Sequence, residues 1–321
     1  MEVIHVDFQD IPVLSASSCC IGYFDGFHLG HQALIQKAVE VAHEKNILAG
    51  LITFDPDPWV VFKPDANLDH LTSMEDRIQL AKQMGIEVFY ILHFTKEFAS
   101  LEPDAFHNVL HAMHVECLVC GFDYHYGKKN AGSVSTLSRQ TLFELYVIDS
   151  VNAKSLKISS TRIENLIREG KMLSANQLLD MYYSMEGIVA QGFQRGTTLL
   201  GIPTANLELS ESYVIPATGV YTGYMQYNGQ FYQAMINVGK NPTFGNEHMT
   251  VEGHILDFDE MIYGAKVRFF FVSKIRDEIK FPGLEALRFQ LLSDIETTRI
   301  ELRKHDLHYM SMHKYFGHRS Y

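Results

Sequence analysis

The chain has 321 residues, of which 46% are apolar, and its formal net charge at pH 7 is −11. This length accommodates about two domains with substantial cores, and the acidic charge excludes a general nucleic-acid binder, which needs a basic face. We expect no membrane span and no signal peptide, since no apolar run is long enough and residues 1–16 carry three acidic residues and no basic n-region. Four cysteines do not make a disulfide framework, so buried free thiols and a cytoplasmic location are predicted.

The first predicted elements form a phosphate-binding turn. An apolar run at residues 19–21 predicts a strand, and an amphipathic helix is predicted from about residue 31. The segment between them reads Gly22-Tyr23-Phe24-Asp25-Gly26-Phe27-His28-Leu29-Gly30-His31. A glycine turn before a helix N-terminus presents backbone N–H groups and the positive end of the helix dipole to an anion. A lone His-x-x-His is more often a packing feature, but in this turn His28 and His31 are expected to face one phosphate.

Strands and helices alternate along the rest of the first half. The pattern predicts strands over 48–54, 88–92, 116–120 and 145–149, and helices over 72–83 and 103–114. Such alternation indicates βαβ units and a doubly wound parallel sheet. Three polar or glycine-rich loops, 22–31, 55–58 and 121–132, follow strands. They are therefore expected at the carboxyl edge of the sheet, where ligands bind.

The turn at residues 22–31 resembles the nucleotidyltransferase signature, in the form found in prokaryotic bifunctional riboflavin kinase/FAD synthetases. Residues 53–58 are similar to the family's Thr-Phe-x-Pro-His-Pro loop, with Asp57 replacing the histidine, and residues 121–127 are similar to a second family loop. The resemblance implies that His28 and His31 hold the α/β-phosphates of ATP and that Asp123 lies near the transferring phosphate. It also implies nucleotide binding by Gly22, Phe24, Asp25, Gly26 and Gly30.

The segment Ile158-Ser159-Ser160-Thr161-Arg162-Ile163 resembles a further family element. Ser and Thr are ordinary N-caps, but with Arg162 in the first turn the same cap would also hold a polyphosphate. The resemblance therefore implies nucleotide binding by Ser160, Thr161 and Arg162. Glu164 stands where the family has a second arginine. Three alternatives stay open: Arg162 or a lysine replaces that arginine, Glu164 turns away, or adenylylation is weakened.

The second half has the pattern of a small antiparallel β-barrel. Strands are predicted over 220–226, 231–238, 251–256 and 267–272, and Asn228-Gly229 predicts a tight hairpin between the first two. A long amphipathic helix is predicted over 283–304. We expect an α/β nucleotidyltransferase domain over 1–184 and a riboflavin kinase barrel with its C-terminal helix and tail over 185–321.

The barrel carries motifs of its own. Gly201-Ile202-Pro203-Thr204-Ala205-Asn206 matches the Gly-x-Pro-Thr-Ala-Asn motif of riboflavin kinases. Thr204 and Asn206 offer neutral oxygen ligands suited to Mg²⁺ carrying ATP phosphates. Glu252 occupies the family's general-base position, where a carboxylate would take the proton of the ribityl 5′-hydroxyl. The resemblance also extends to Asp257-Phe258 and Tyr263-Gly264. It further implies nucleotide binding by Gly201 and Pro203, and flavin or phosphate binding by Asn237 and Arg276.

Two segments depart from the family pattern. Residues 195–201 form a loop one residue longer than usual that lacks the family's arginine, and Arg195 is the candidate replacement. The tail, residues 305–321, holds four histidines and four aromatic residues. A helix or arm packed on the barrel or on another subunit is favoured there over a metal site.

The resemblance implies an enzyme of flavin cofactor biosynthesis. Riboflavin would be phosphorylated to FMN with Mg-ATP, and FMN would be adenylylated to FAD with release of pyrophosphate. The expected partners are these small molecules, with no nucleic acid or membrane, and a homo-oligomer is left open. The alternatives are a paralogue with one active module, another nucleotidyltransferase with an unrelated barrel, or a non-catalytic flavin-binding protein. Glu164 points to kinase activity alone, whereas the 195–201 loop points to adenylyltransferase activity alone.

Overall fold

The computed structural model describes residues 1–63, 68–153, 156–190, 202–241 and 248–304. The chain divides into two compact units by its internal contacts. The first comprises Met1–Leu68 and Thr72–Ser159, and the second comprises Asp69–Leu71 and the chain from Ser160 onward.

The first unit is built around a six-stranded sheet. Its elements, in chain order, are β1 Glu2–Val6, β2 Ser17–Ile21, α1 Leu29–Lys45, β3 Leu48–Asp55, α2 Pro58–Phe62, α3 Met74–Gln83, β4 Val88–His93, α4 Lys96–Ala99, α5 Pro103–Ala112, β5 Val115–Gly121, β6 His125–Tyr126, a 3₁₀ turn Lys128–Asn130, β7 Gly132–Ser133, α6 Val134–Leu137, β8 Glu144–Ile148, β9 Asn152–Ala153 and β10 Leu156–Lys157. The sheet order is β1-β4-β3-β2-β5-β8, and every pairing is parallel. The predicted doubly wound parallel sheet is therefore confirmed.

The strand order explains where a ligand can bind in this unit. From β2 the chain moves outward one way through β3 and β4, and later the other way through β5 and β8. The direction reverses between β2 and β5, and a crevice opens at such a switch point, beyond the carboxyl ends of the strands. The segments that follow these two strands begin at Gly22 and Phe122. Two of the predicted loops therefore meet at one edge.

The sequence prediction of the first unit missed several short elements, among them α2 and α4, and it differed from the structure in two further details. It missed β1, whose mostly exposed residues pair in parallel with β4 at the edge of the sheet. It also began the third helix one residue early, since the side chain that caps α3 belongs to Ser73 and accepts from the Asp76 N–H. Because Ser73 caps the helix, the Thr72 side chain makes its hydrogen bonds with other residues of the first unit.

The second unit is a closed barrel, with three helices among its described residues. Its elements are α7 Ser160–Arg168, α8 Met172–Leu179, β11 Tyr183–Ala190, β12 Ala205–Leu209, β13 Gly219–Tyr227, β14 Gln230–Asn241, β15 His248–Ile255, β16 Lys266–Arg276 and α9 Leu284–Lys304. The barrel order is β11-β12-β15-β14-β13-β16. The predicted hairpin is confirmed, because Asn228 and Gly229 both have the positive φ that a type I′ turn needs.

The interior of the barrel is filled by aromatic side chains. A Cβ atom on Gly253 of β15 would lie 2.4 Å from the ring of Phe269 on β16. Because these two strands are not neighbours, the contact crosses the interior, and the absent side chain makes room for the ring. Outside the barrel, Leu291 and Ile295 of α9 pack on a cluster formed by Val220, Met235 and Leu256. The predicted C-terminal helix thus covers one face of the barrel.

Candidate active sites

A stacked histidine pair stands at the N-terminus of α1 in the first unit. His28 is the N-cap, and its Nδ1 accepts a hydrogen bond from the His31 backbone N–H at 3.2 Å. The two rings stack with centroids 3.7 Å apart and planes 13° apart. Burial lowers the pKa of His28 to about 4, and it lowers the pKa of His31 well below its usual value. Both rings are therefore neutral at pH 7, and they can act on phosphate as N–H donors.

The turn that precedes α1 is held by a buried ion pair. The Asp25 carboxylate accepts from Arg77 Nη2 at 3.2 Å and from the Thr72 backbone N–H at 2.9 Å. The Thr72 hydroxyl in turn accepts from the Gly26 N–H at 2.9 Å, and Gly26 has a φ of +84°. Arg77 Nη1 also donates to the Tyr23 carbonyl. Asp25 thus shapes the turn, and sequence reasoning missed Thr72 and Arg77 because both looked like ordinary residues at a helix start.

Three other predicted residues support the histidines by close packing. Phe24 is fully buried at a φ of +57°, and its ring lies 5.2 Å from that of His31. A Cβ atom on Gly22 would touch the Phe24 ring at 3.4 Å. A Cβ atom on Gly30 would lie 3.0 Å from Cε1 of His28. The glycine at position 30 therefore allows the His28 ring to lie over the first turn of α1.

A lysine that sequence reasoning did not select lies near the histidine pair. Lys157 of β10 forms an ion pair with Asp123, and its ammonium group lies 5.1 Å from the centre of the Phe122 ring. The carbonyl of Ile158, the next residue, lies 4.0 Å from the position of a Cβ atom on Gly30, and the charge of Lys157 acts with burial in lowering the pKa of His28. Asp123 thus carries a cation at the same edge of the sheet as the histidines.

An aromatic cavity of about 390 Å³ opens in the same unit. Its walls come from the loops after β3, β4 and β5, and they include Phe54, Trp59, Phe62, Phe94, Phe98, Phe106, Tyr124 and Tyr126. Lys129 and Asn130 add polar groups to the wall. Asp57, which replaces the family's histidine, caps α2 by accepting from the Trp59 N–H at 2.7 Å. The sequence signal for this cavity is weak, because its aromatic residues are scattered over more than 70 positions.

The remaining predicted nucleotide-binding residues of the first half begin α7, in the second unit. Ser160, Thr161 and Arg162 form the first turn of that helix, and Ile163 and Ile167 are its buried face. Arg162 and Glu164 are both half-buried.

The barrel aligns a carboxylate between two amides. Glu252 on β15 is the register partner of Asn206 on β12 and of Asn237 on β14. The row continues to Val220 on β13 and Arg276 on β16. Register partners project from the same face of a sheet, so these side chains form one line across five strands. Burial raises the pKa of Glu252. A carboxylate with a raised pKa accepts a proton more readily, which suits a general base.

Two cavities share Thr204 in their walls, and the larger one is lined by four residues of this row. One, of about 490 Å³, is lined by Thr204, Val220, Asn237, Glu252 and Arg276, and α9 supplies Leu284, Leu287 and Leu291. The other, of about 310 Å³, is lined by Pro203, Thr204, Ala205 and the segment from Phe258 to Tyr263. Thr204 belongs to both linings. A group transferred from a ligand in one cavity to a ligand in the other would pass this threonine.

Arg276 has a structural partner besides its place in the cavity wall. Its Nε and Nη2 donate to Asp294 of α9 at 2.9 and 2.8 Å, and Gln290 donates to the other carboxylate oxygen. Arg276 therefore holds α9 against the barrel.

Some of the predictions fall outside the described residues. They are the nucleotide-binding residues Arg195 and Gly201, the 195–201 loop and the tail from residue 305. Within the described part of the chain, no group of three or more His, Cys, Asp or Glu side chains is arranged to hold a metal ion.

The geometry of the two units defines a class of protein. One unit places neutral N–H donors and a cation at the switch point of a parallel sheet, where anionic ligands bind. The other places a half-buried carboxylate in the wall of a cavity that shares Thr204 with a second cavity. This is the arrangement of a nucleotide-dependent transferase with two separate reaction sites.

Comparison with known proteins gives the family. The FAD synthetase family model matches residues 11–162, and the riboflavin kinase family model matches residues 179–302. The chain belongs to the family of bifunctional riboflavin kinase/FMN adenylyltransferases, and it is an enzyme of flavin cofactor biosynthesis. The predicted family, enzyme class and function are confirmed.

Individual relatives cover almost the whole chain. Bifunctional riboflavin kinase/FMN adenylyltransferase of Listeria monocytogenes is 41% identical over 87% of this chain and 90% of the relative. The Bacillus subtilis enzyme of that name is 36% identical over 92% and 96%. A crystal structure described as a macrolide-efflux protein from Streptococcus pneumoniae matches with a TM-score of 0.88 and 35% identity, over 93% and 99%. No helix in the described ranges of the present chain has the length and apolarity needed to cross a membrane.

Proposed function

We propose that the barrel binds riboflavin in the 490 Å³ cavity and the adenosine of ATP in the 310 Å³ cavity. The observation that carries this assignment is the position of Glu252, which lines the first cavity in register with Asn206, next to the Thr204 shared by both cavities. The apolar α9 side chains suit the flavin ring system. The polar row suits the ribityl chain and the phosphates.

Glu252 acts as the general base of the kinase reaction. Its carboxylate takes the proton of the ribityl 5′-hydroxyl, the oxygen forms a bond to the γ-phosphorus, and the bond to the ADP oxygen breaks. The raised pKa makes the Glu252 carboxylate a stronger base toward this proton than an ordinary exposed carboxylate. Asn237, on the adjacent strand, is placed to orient the hydroxyl.

Thr204 and Asn206 would hold Mg²⁺ beside the phosphates. A hydroxyl and an amide are hard neutral oxygen ligands, and Mg²⁺ commonly completes its shell with water and substrate phosphates. This fits a barrel whose described residues have no cluster of three acidic or imidazole side chains. When bound, the ion neutralises the charge on the β- and γ-phosphates.

In the first unit we place the flavin ring of FMN in the aromatic cavity and the phosphates of ATP at the N-terminus of α1. An oxygen of the FMN phosphate attacks the α-phosphorus directly, and pyrophosphate leaves without a covalent enzyme intermediate. His28 and His31 donate N–H groups to the charge that develops on the phosphates. Glu164 stands where the family has a second arginine, and Lys157 supplies the positive charge in place of that arginine. Asp123 positions the Lys157 ammonium group through their ion pair.

Two family matches, over residues 11–162 and 179–302, support a division of the chain into two functional domains. We assign residues 1–184 to FMN adenylylation and residues 185–321 to riboflavin phosphorylation, each acting on small molecules. We also place the enzyme in the cytoplasm, where thiols stay reduced. In support, Cys19, Cys20, Cys117 and Cys120 are all free and buried. Burial raises the pKa of the Cys19 thiol to about 12, so it is unreactive.

The test is a chromatographic assay on three proteins. Wild type with Mg-ATP should convert riboflavin to FMN and then FAD, and it should convert supplied FMN to FAD. His28→Ala should stop FAD formation and spare FMN formation, while Glu252→Ala should do the reverse. Loss of both activities in either folded single variant would refute the two-site assignment. Absence of either activity in wild type would show that a module is inactive.

A further inference from the structure

The loop that walls the nucleotide cavity is tied to the helix that walls the flavin cavity. Asp257, the first residue of the Asp-Phe motif, accepts two hydrogen bonds from Arg299 of α9. Arg299 Nη1 donates to one carboxylate oxygen at 2.7 Å, and Nη2 donates to the other at 2.8 Å. A bidentate arginine–carboxylate ion pair of this kind fixes both the distance and the relative orientation of the two side chains.

The neighbours of Asp257 in the chain connect its ion pair with Arg299 to the walls of both cavities. Leu256, before it, packs with Leu291 of α9 in the cluster on the outside of the barrel. Phe258, after it, lines the 310 Å³ cavity and packs edge-on against Tyr232 at 4.8 Å between centroids. Leu291 itself lines the 490 Å³ cavity. A continuous set of contacts therefore runs from one cavity wall to the other through residues 256–258.

The backbone at Asp257 needs such a restraint. Its φ is +55°, a conformation that Asp tolerates better than most residues but that costs free energy without glycine. Beyond Phe258, Met261 and Tyr263 line the cavity although both are exposed, and the far end of the loop is anchored by the Gly264 N–H, which donates to the Val189 carbonyl at 2.9 Å. The bidentate ion pair of Asp257 and Arg299 is the corresponding anchor at the start of the loop.

We propose that Asp257 and Arg299 are positioning residues of the kinase reaction, which set the wall of the ATP cavity against the helix that encloses riboflavin. Neither residue belongs to the lining of either of these two cavities, so neither is expected to touch a substrate there. The assignment of ATP to the smaller cavity rests on the function proposed above. The ion pair with Arg299 gives the acidic residue before Phe258 a structural role.

The test compares steady-state kinase kinetics of Asp257→Asn, Arg299→Met and the double variant. Asparagine tolerates the same positive φ, so the first substitution removes charge without adding backbone strain. Each single variant should raise KM for ATP about fivefold, the scale expected for an ideal bidentate pair near the surface. KM for riboflavin and kcat should stay within about twofold, because Asp294 and Arg276 still hold α9. The double variant should match the single variants.

The matched controls are Glu301→Gln and Lys304→Met, which remove another ion pair of α9, at 2.6 Å. They should leave KM for ATP unchanged. Unchanged KM for ATP in the folded Asp257 and Arg299 variants would overturn the proposal, as would additive effects in the double variant or an equal rise in the controls. A rise confined to KM for riboflavin would instead refute the assignment of the two cavities. Inactive wild-type kinase would refute the proposed function itself.

Discussion

Acid should destabilise the first unit through His28. Burial holds the pKa of this imidazole at about 4, whereas in an unfolded chain it lies near 6.5. Protonation would also place a hydrogen on Nδ1, which already accepts the His31 N–H and caps α1. Above pH 6.5 the His28 ring is neutral in both the folded and the unfolded state, so its titration does not change the free energy of unfolding. As pH falls below 6.5 the unfolded state gains the proton first, so at pH 5 the linkage costs about 2 kcal/mol of stability.

The comparison that isolates this effect uses His28→Gln, whose amide oxygen can accept the same hydrogen bond but does not titrate. Urea unfolding is followed by fluorescence of Trp59, the chain's single tryptophan, which lies in the first unit. Between pH 7 and pH 5, wild type should lose about 2 kcal/mol more than the variant. Equal losses in the two proteins, or an NMR titration of the His28 ring near pH 6.5, would refute the reasoning.

Four further results are expected. Arg77→Met leaves the Asp25 carboxylate buried without its charge partner, which should cost about 3–5 kcal/mol in urea unfolding, and adding Asp25→Asn should restore part of it. Gly30→Ala should lower kcat for FMN adenylylation about tenfold, because the new Cβ displaces the His28 ring, while riboflavin phosphorylation measured in parallel stays unchanged. Glu252→Gln should lower kinase kcat by about 10²- to 10⁴-fold. The wild-type kinase should lose activity in acid at a pH above the usual carboxyl range, because burial raises the pKa of the base; an acid limb at pH 4 or below would contradict this.

Much of the fold was predictable because its signals are local. Apolar runs alternating with amphipathic helices indicate a parallel sheet, and the Asn228-Gly229 pair indicates a hairpin; both are confirmed. The edge strand β1 escaped prediction, since its residues are mostly exposed and its pairing with β4 joins positions more than 80 residues apart. An edge strand buries too little apolar surface to leave a clear alternation.

The residues of the candidate sites also differ in whether they could be predicted from local sequence. The histidine turn and the Pro-Thr-Ala-Asn segment are contiguous, so their chemistry could be inferred from the amino-acid sequence alone. Lys157 and the Asp25–Arg77 pair could not, because each joins residues that are 34 or more positions apart. Nothing in the local sequence distinguishes such residues from ordinary surface charges.

The sequence by itself determined the order of the two units, the phosphate-binding turn and the residues that a helix N-terminus or a strand must present. These depend on backbone geometry over a few consecutive residues. Only the tertiary structure decided that Glu252 stands between two amides, that Thr204 borders two cavities and that Asp257 is held by Arg299. Strand register and helix packing bring those side chains together from distant positions, and burial then sets their protonation.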